Sequence, residues 1–310
     1  MKIVVLDGYA ANPGDISWKG LEALGDFTVH DRTPINLILD RIGDAEVILT
    51  NKAPITRETM THKPQLRYIG VLATGYNVVD IAAAKEFGIT VANVPDYSTP
   101  SVAQHVFALL LELCNHVGAH SYAVRSGDWV KSIDFCFWHH PLKELSGKTL
   151  GIIGMGRIGK STALIAKAFG MNVLTASSRD PGAPELEALY RSSDVVSLHC
   201  PLTEQNAGMI SRDAISKMKD GAFLINTARG GLLHEADVAE ALHSGKLGAV
   251  AVDVLSTEPP KMENPLLGAP RCIITPHIAW ASIEARRRLM QIATDNVSAF
   301  LDGNPMNTVM

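Results

Sequence analysis

The chain's 310 residues, 46% hydrophobic and 19% charged, have the composition of a globular protein with room for two domains, which excludes a disordered chain. With 28 basic and 32 acidic side chains, a formal charge of −4 and no block of like charge, nucleic acid is excluded as a partner. No apolar run reaches the ~18 residues of a membrane span, no leader precedes the strand-like residues 2–6, and the four cysteines form no Cys-x-x-Cys pair; a cytoplasmic, reduced protein without a metal or a membrane partner is expected.

From residue 1 to 98, apolar runs at 3–6, 44–50, 66–73 and 89–94 alternate with helix-like segments, the pattern of a parallel sheet with helical crossovers. Between the last two runs, Val78, Ile81, Ala82 and Phe87 predict a short helix. Ala73, Thr74 and Gly75 stand at the C-terminal end of a strand, where open parallel sheets place ligands. An anion-binding turn and a plain strand-to-helix turn both fit. Ser98-Thr99-Pro100-Ser101 has the hydroxyl and proline of a helix start and marks the first domain crossing. One long helix is predicted over 102–125, apolar on more than one face, which fits burial between domains, against a second subunit or in one core. The connection at 129–145 is rich in aromatics, including Phe135 and Trp138, and carries His139-His140; adjacent histidines without a third ligand do not point to a metal.

The apolar run at 149–153 breaks into Gly154-Met155-Gly156-Arg157-Ile158-Gly159 and passes into a helical pattern. Strand, Gly-x-Gly-x-x-Gly and helix together read as a dinucleotide phosphate turn. Gly154 allows the tight turn, Gly156 the approach of a pyrophosphate, and Gly159 the packing of helix on strand, with amides at the helix start facing the anion. The next strand, at 171–176, ends in Ser177-Ser178-Arg179 about 20 residues on, where an acid normally holds the ribose 2′-OH. Small hydroxyls and a guanidinium suit a 2′-phosphate, so the cofactor is read as NAD or NADP with NADP favoured; the alternative gives Asp180 the acidic role in a shifted register. Further strands at 194–200, 222–226, 248–254 and 273–275, with helices at 212–218 and 235–244, complete six strands of a dinucleotide-binding domain over 99–282. The amphipathic segment 285–301 is expected to return to the first domain, making that domain discontinuous, 1–98 with 283–310.

Three polar residues follow successive strands of the second half: Arg229 in Asn226-Thr227-Ala228-Arg229-Gly230, Glu258 before Pro259, and His277 in Thr275-Pro276-His277. A 2-oxo acid needs a planar cation, which Arg229 supplies in a bidentate grip. Hydride arriving at a keto carbon leaves an alkoxide that needs a proton, and imidazole titrates near the working pH. A carboxylate beside it favours imidazolium and sets its orientation. Each residue alone also reads as an ordinary surface or core group; together they point to hydride transfer.

These motifs, in this order, resemble the signatures of the D-isomer-specific 2-hydroxyacid dehydrogenases over essentially the whole chain. The resemblance implies an α/β fold of two Rossmann-like domains with parallel sheets, the dinucleotide-binding domain inserted in a flavodoxin-like substrate domain. It implies an NAD(P)-dependent enzyme in which Arg229 binds substrate, His277 is the acid/base, Glu258 is its partner, and the amides of Ala73, Thr74 and Gly75 hold the substrate carboxylate. Implied cofactor contacts are Arg157 and Ile158 at the turn, Cys200, Pro201 and Thr203 on the adenosine side, and Thr227, Ala228, Arg229 and Asp253 near the nicotinamide. Residues 73–77 and 135–145 are most similar to the glycerate dehydrogenase and hydroxypyruvate reductase branch, whose reaction is reduction of hydroxypyruvate or glyoxylate to D-glycerate or glycolate. In that branch an aromatic residue of one subunit reaches the other subunit's site, which implies a homodimer with Trp138 as the candidate. Ser177 departs from the acid of the NAD-using members. Rival readings are a D-lactate or branched 2-hydroxyacid dehydrogenase, and a nucleotide-sensing, corepressor-like binding scaffold.

Overall fold

Five short strands, β1 (Lys2–Val5), β2 (Asp26–Val29), β3 (Val47–Thr50), β4 (Tyr68–Val71) and β5 (Thr90–Ala92), pair in parallel in the order β2-β1-β3-β4-β5. The computed structural model describes residues 1–309. Every residue of β3 and β4 is buried, as continuous apolar runs require when helices cover both faces of a parallel sheet. β2 is an edge strand, with only Phe27 partly buried, and Asp26-Phe27-Thr28-Val29 carries no apolar run by which the sequence would reveal it. Helices α1 (Lys19–Glu22), α2 (Ile38–Ile42), α3 (Arg57–His62) and α4 (Ile81–Glu86) connect the strands. The side chains of Thr56 and Asp80 cap α3 and α4 by accepting from amides three residues on. This unit comprises Met1–Ser98 and the stretch from Ala281 onward.

The second unit is Thr99–Trp280. The helix predicted over 102–125 is two helices, α5 (Thr99–Asn115) and α6 (Val117–Arg125). His116 between them takes a left-handed φ of +50°, which breaks the helical ladder, and the Glu112 carboxylate turns back to accept from the Gly118 amide. Then come β6 (Thr149–Ile153), α7 (Arg157–Ala168), β7 (Asn172–Ala176), α8 (Pro184–Ser192), β8 (Val195–Leu198), α9 (Arg212–Lys217), β9 (Ala222–Asn226), α10 (Glu235–Ser244), β10 (Leu247–Val252) and β11 (Cys272–Ile274). The six strands are parallel in the order β11-β10-β9-β8-β6-β7. The order reverses between β6 and β8, so the crevice outside their C-terminal ends is the place where open α/β sheets bind ligands. Leu150, Ile152, Val195, Phe223, Ile225 and Ala251 pack one face of the sheet against Val106, Leu109, Leu110 and Leu113 of α5.

The last helix, α11 (Ile283–Leu301), belongs to the first unit, with Ser282 as its cap. Arg286, 8% exposed, forms a bidentate pair with Asp15 at 2.6 Å for both bonds, and Phe300 packs on Tyr68 with ring centroids 4.8 Å apart. Among the described residues no helix is long and apolar enough to cross a membrane, and no group of three or more His, Cys, Asp or Glu is placed to hold a metal.

Candidate active site

The glycine turn stands where β6 meets α7. Gly154 takes a φ of +101°, and a Cβ there would lie 2.6 Å from the His199 carbonyl oxygen. A Cβ on Gly159 would lie 2.2 Å from the Gly154 carbonyl oxygen, so this position must be bare for α7 to approach β6. Gly156 is different. Nothing lies within 4 Å of its Cβ position, so the main chain there borders open space, and no side chain caps the start of α7. The arrangement fits a pyrophosphate.

At the end of β7, Ser177 and Arg179 are exposed, whereas Ser178 is buried and bonds to Cys200. Burial pushes the Cys200 thiol up, and the bond from Ser178 opposes that shift. The Asp180 carboxylate accepts from the Gly182 amide at 2.9 Å, in its own loop. After β8, Asn206 organises the turn: it accepts from the Thr203 amide at 2.7 Å and donates to the Pro201 carbonyl at 2.9 Å. Asn206 is 1% exposed, and nothing in the sequence marks it, since an isolated Asn in a loop carries no motif.

Three further strand ends bring polar groups together. Beyond β9, the buried Asn226 side chain accepts from the Ala228 amide at 3.0 Å and donates to the Arg229 carbonyl at 2.8 Å, which closes a tight turn. The Arg229 guanidinium is exposed and donates to the Ala228 carbonyl at 2.7 Å. Thr227 Oγ1 is buried with no hydrogen-bond partner in the protein, and a bound group with a polar edge at this strand end would satisfy it. Beyond β10, Glu258 Oε1 accepts from the Leu255 amide at 3.0 Å, while Oε2 lies 2.6 Å from Nδ1 of His277 beyond β11. The loop bearing Glu258 is tied down by Glu235 of α10, which accepts from the Ser256 amide, the Ser256 hydroxyl and the Asn264 side chain at 2.7–2.9 Å. Glu235 is a supporting residue that sequence reading misses, because its partners lie 21 and 29 residues away. Asp253 is 1% exposed and accepts from the amides of Ile278 and Ala279 at 2.9 and 2.8 Å.

In the first unit, the turn after β4 has its acceptors occupied. The Ala73 carbonyl accepts from the Val94 amide and the Thr74 carbonyl from the Asn93 side chain, while the Thr74 hydroxyl donates to the Val94 carbonyl. Among the described residues, the amides of Ala73, Thr74 and Gly75 have no acceptor in the protein. Trp138 is 65% exposed, in a stretch that also exposes Ile133 and Phe135.

Residues 107–279 match the family model described as D-isomer specific 2-hydroxyacid dehydrogenase, NAD binding domain. The chain belongs to the D-isomer-specific 2-hydroxyacid dehydrogenase family. This dehydrogenase is 53% identical over 320 residues to the hydroxypyruvate reductase of Blautia hydrogenotrophica, a match that covers 100% of this chain and 99% of that one. It is 45% identical over 275 residues to the glycerate dehydrogenase of Methylorubrum extorquens, covering 88% of each. Among solved structures, it is similar to an acyclic imino acid reductase in complex with NADPH and D-Arg, with a TM-score of 0.86 and 29% identity over the full length of both chains. As an oxidoreductase with an NAD-binding domain, it presents Arg229, Glu258 and His277 from three neighbouring strand ends of that domain.

Proposed function

We propose that this dehydrogenase reduces hydroxypyruvate and glyoxylate to D-glycerate and glycolate. The observation that carries the reading is the 2.6 Å contact between His277 Nδ1 and Glu258, which leaves Nε2 of the same ring for a substrate oxygen. The chemistry supplied by a bound NAD(P)H is a hydride for the keto carbon. Arg229 grips the 2-oxo acid through its carboxylate and carbonyl, and withdraws electron density from the carbon under attack. His277 delivers a proton from Nε2 to the oxygen that becomes the hydroxyl, and Glu258 compensates the imidazolium before that transfer. In the oxidative direction the same nitrogen takes the proton back. The family resemblance gives the free amides of Ala73, Thr74 and Gly75 the substrate carboxylate.

For the cofactor, Gly154, Gly156 and Gly159 with Arg157 and Ile158 hold the pyrophosphate, Cys200, Pro201 and Thr203 border the adenosine, and Thr227, Ala228 and Asp253 the nicotinamide end. NADP is favoured over NAD: Ser177 and Arg179 are exposed at the end of β7, Ser178 is turned inward, and the nearby Asp180 carboxylate is engaged with Gly182. The exposed Val130, Ile133, Phe135 and Trp138 support a homodimer in which a second copy covers this segment and receives Trp138 at its site. A paired assay of hydroxypyruvate, glyoxylate and pyruvate with NADH and with NADPH tests the reading. The highest kcat/KM for hydroxypyruvate with NADPH is expected. Preference for pyruvate would move the enzyme to the D-lactate branch, and failure of every 2-oxo acid would favour a binding scaffold. A monomeric mass in solution would overturn the dimer.

A further inference from the structure

His105, on α5, lies outside every group discussed so far. Its Nε2 is 3.0 Å from the Thr275 hydroxyl, which is 2.6 Å from Oδ1 of Asp253. A carboxylate only accepts, so the single proton of Thr275 goes to Asp253 and the Thr275 oxygen is left to accept from His105 Nε2–H. The chain of bonds therefore has one direction, from His105 through Thr275 to Asp253, and it sets the His105 tautomer. His105 Nε2 itself lies 3.6 Å from the Asp253 carboxylate.

Asp253 is the fixed point of the loop that carries His277. Its side chain accepts from the amides of Ile278 and Ala279, and its main-chain carbonyl accepts from the His277 amide at 2.8 Å. His277 takes a φ of +55°, a left-handed conformation that a residue with a Cβ holds only when its surroundings over-determine it. With Asp253 at 1% exposure, bulk water does not replace a lost partner, so the orientation of its carboxylate depends on the donors around it.

We propose that His105 is a positioning residue for the acid–base histidine: donating through Thr275, it keeps the Asp253 carboxylate on the amides of Ile278 and Ala279 and so holds His277 in the conformation that meets Glu258. The inference rests on the reading of His277 as the proton donor.

His105→Leu removes the donor and retains much of the volume. It is expected to lower kcat roughly tenfold or more, since small displacements of a reacting group have large effects on rate. In the cofactor-free protein the ring resonances of His277 should shift. His105→Gln, whose amide reaches the place of Nε2–H, is expected to restore both. Thr275→Val breaks the next link, so adding His105→Leu to it should produce little further loss. Should His105→Leu not fold, Thr275→Val is expected to show the lowered kcat and shifted His277 resonances, and His105→Gln to keep both near those of the parent. A normal rate and unshifted His277 resonances in His105→Leu would overturn the inference, as would failure of His105→Gln to restore them or fully additive losses. His277→Ala, measured alongside, separates the two levels. If it is inactive while His105→Leu is normal, only this inference falls; if it turns over normally, the reading of the site falls and takes this inference with it.

Discussion

Glu258 holds His277 with one carboxylate oxygen and its own loop with the other: Oε2 lies 2.6 Å from His277 Nδ1, and Oε1 accepts from the Leu255 amide at 3.0 Å. The orientation of the imidazole is therefore tied to the main chain between β10 and the cis Glu258-Pro259 bond. Gly230 lets the Arg229 turn come against the same loop, since a Cβ there would lie 1.9 Å from the Leu255 carbonyl carbon. Only a bare α-carbon allows the arginine and the carboxylate to stand on adjoining turns.

Glu258→Gln keeps the shape and removes the carboxylate charge that faces His277 Nδ1. Turnover in the reductive direction should fall about a hundredfold, the scale of one positioned acid–base group, with cofactor Kd unchanged. Steady-state kinetics and a fluorescence titration of the cofactor check this, and an unaltered kcat would remove Glu258 from the mechanism.

Arg229→Lys retains a positive charge and loses the planar fork. A point charge does not replace a bidentate grip, so the KM for the 2-oxo acid should rise by roughly ten- to a hundredfold, about 1.5–3 kcal/mol for a hydrogen bond to a charged group. Equal KM values for the two proteins would show that Arg229 does not bind substrate.

Two glycines of the turn proposed to hold the pyrophosphate should separate stability from binding. Gly159→Ala drives a methyl group into the Gly154 carbonyl, 2.2 Å away, and should destabilise by roughly 3 kcal/mol, as overpacking does. Gly156→Ala meets nothing within 4 Å, so its Tm should be unchanged while cofactor Kd rises. Thermal unfolding and a binding titration on both variants decide the matter; similar Kd values for Gly156→Ala and the parent would place the pyrophosphate elsewhere.

Ser177→Asp adds a carboxylate at the exposed end of β7. It should repel a 2′-phosphate and accept from a 2′-OH, so the ratio of kcat/KM with NADPH to that with NADH should fall at least tenfold. A ratio that does not move would take Ser177 out of the ribose site.

His199 carries a pH dependence of stability. Its ring bonds to Ser197 at 2.9 Å, and burial lowers its pKa from 6.5 to about 4. Between those values the unfolded chain binds a proton that the folded chain refuses, so the contribution is fully present above pH 6.5 and is lost as the pH falls toward about 4. The loss is at most about 3 kcal/mol, because the residue keeps partial contact with solvent. Denaturant melts at pH 7 and pH 4.5 should differ less for His199→Gln than for the parent; an identical difference would contradict the assignment.

The legible parts of the chain share one property, that the information lies within a few consecutive residues. The Gly154 to Gly159 turn was readable because each glycine answers a local need for a tight turn or a close approach. β3, β4, β6 and β8 were readable because a strand buried on both faces is an unbroken apolar run. The edge strand β2 and helix α8 were not, since half-exposed elements lack that run. The break at His116 was hidden for a different reason: a non-glycine residue in left-handed conformation has no sequence mark. The same holds for His277, whose motif is visible and whose φ of +55° is not.

By itself the sequence determined the α/β class, the glycine turn between strand and helix, the family and the three polar residues on which the chemistry is proposed to depend. Tertiary structure alone decided the strand order that opens a crevice between β6 and β8, the inward turn of Ser178, the tethering of the Glu258 loop by Glu235 and the chain from His105 through Thr275 to Asp253. His105 and Thr275 are 170 residues apart. Hydrogen bonds act over about 3 Å, so partners at that separation meet only after the sheet has brought its strand ends together.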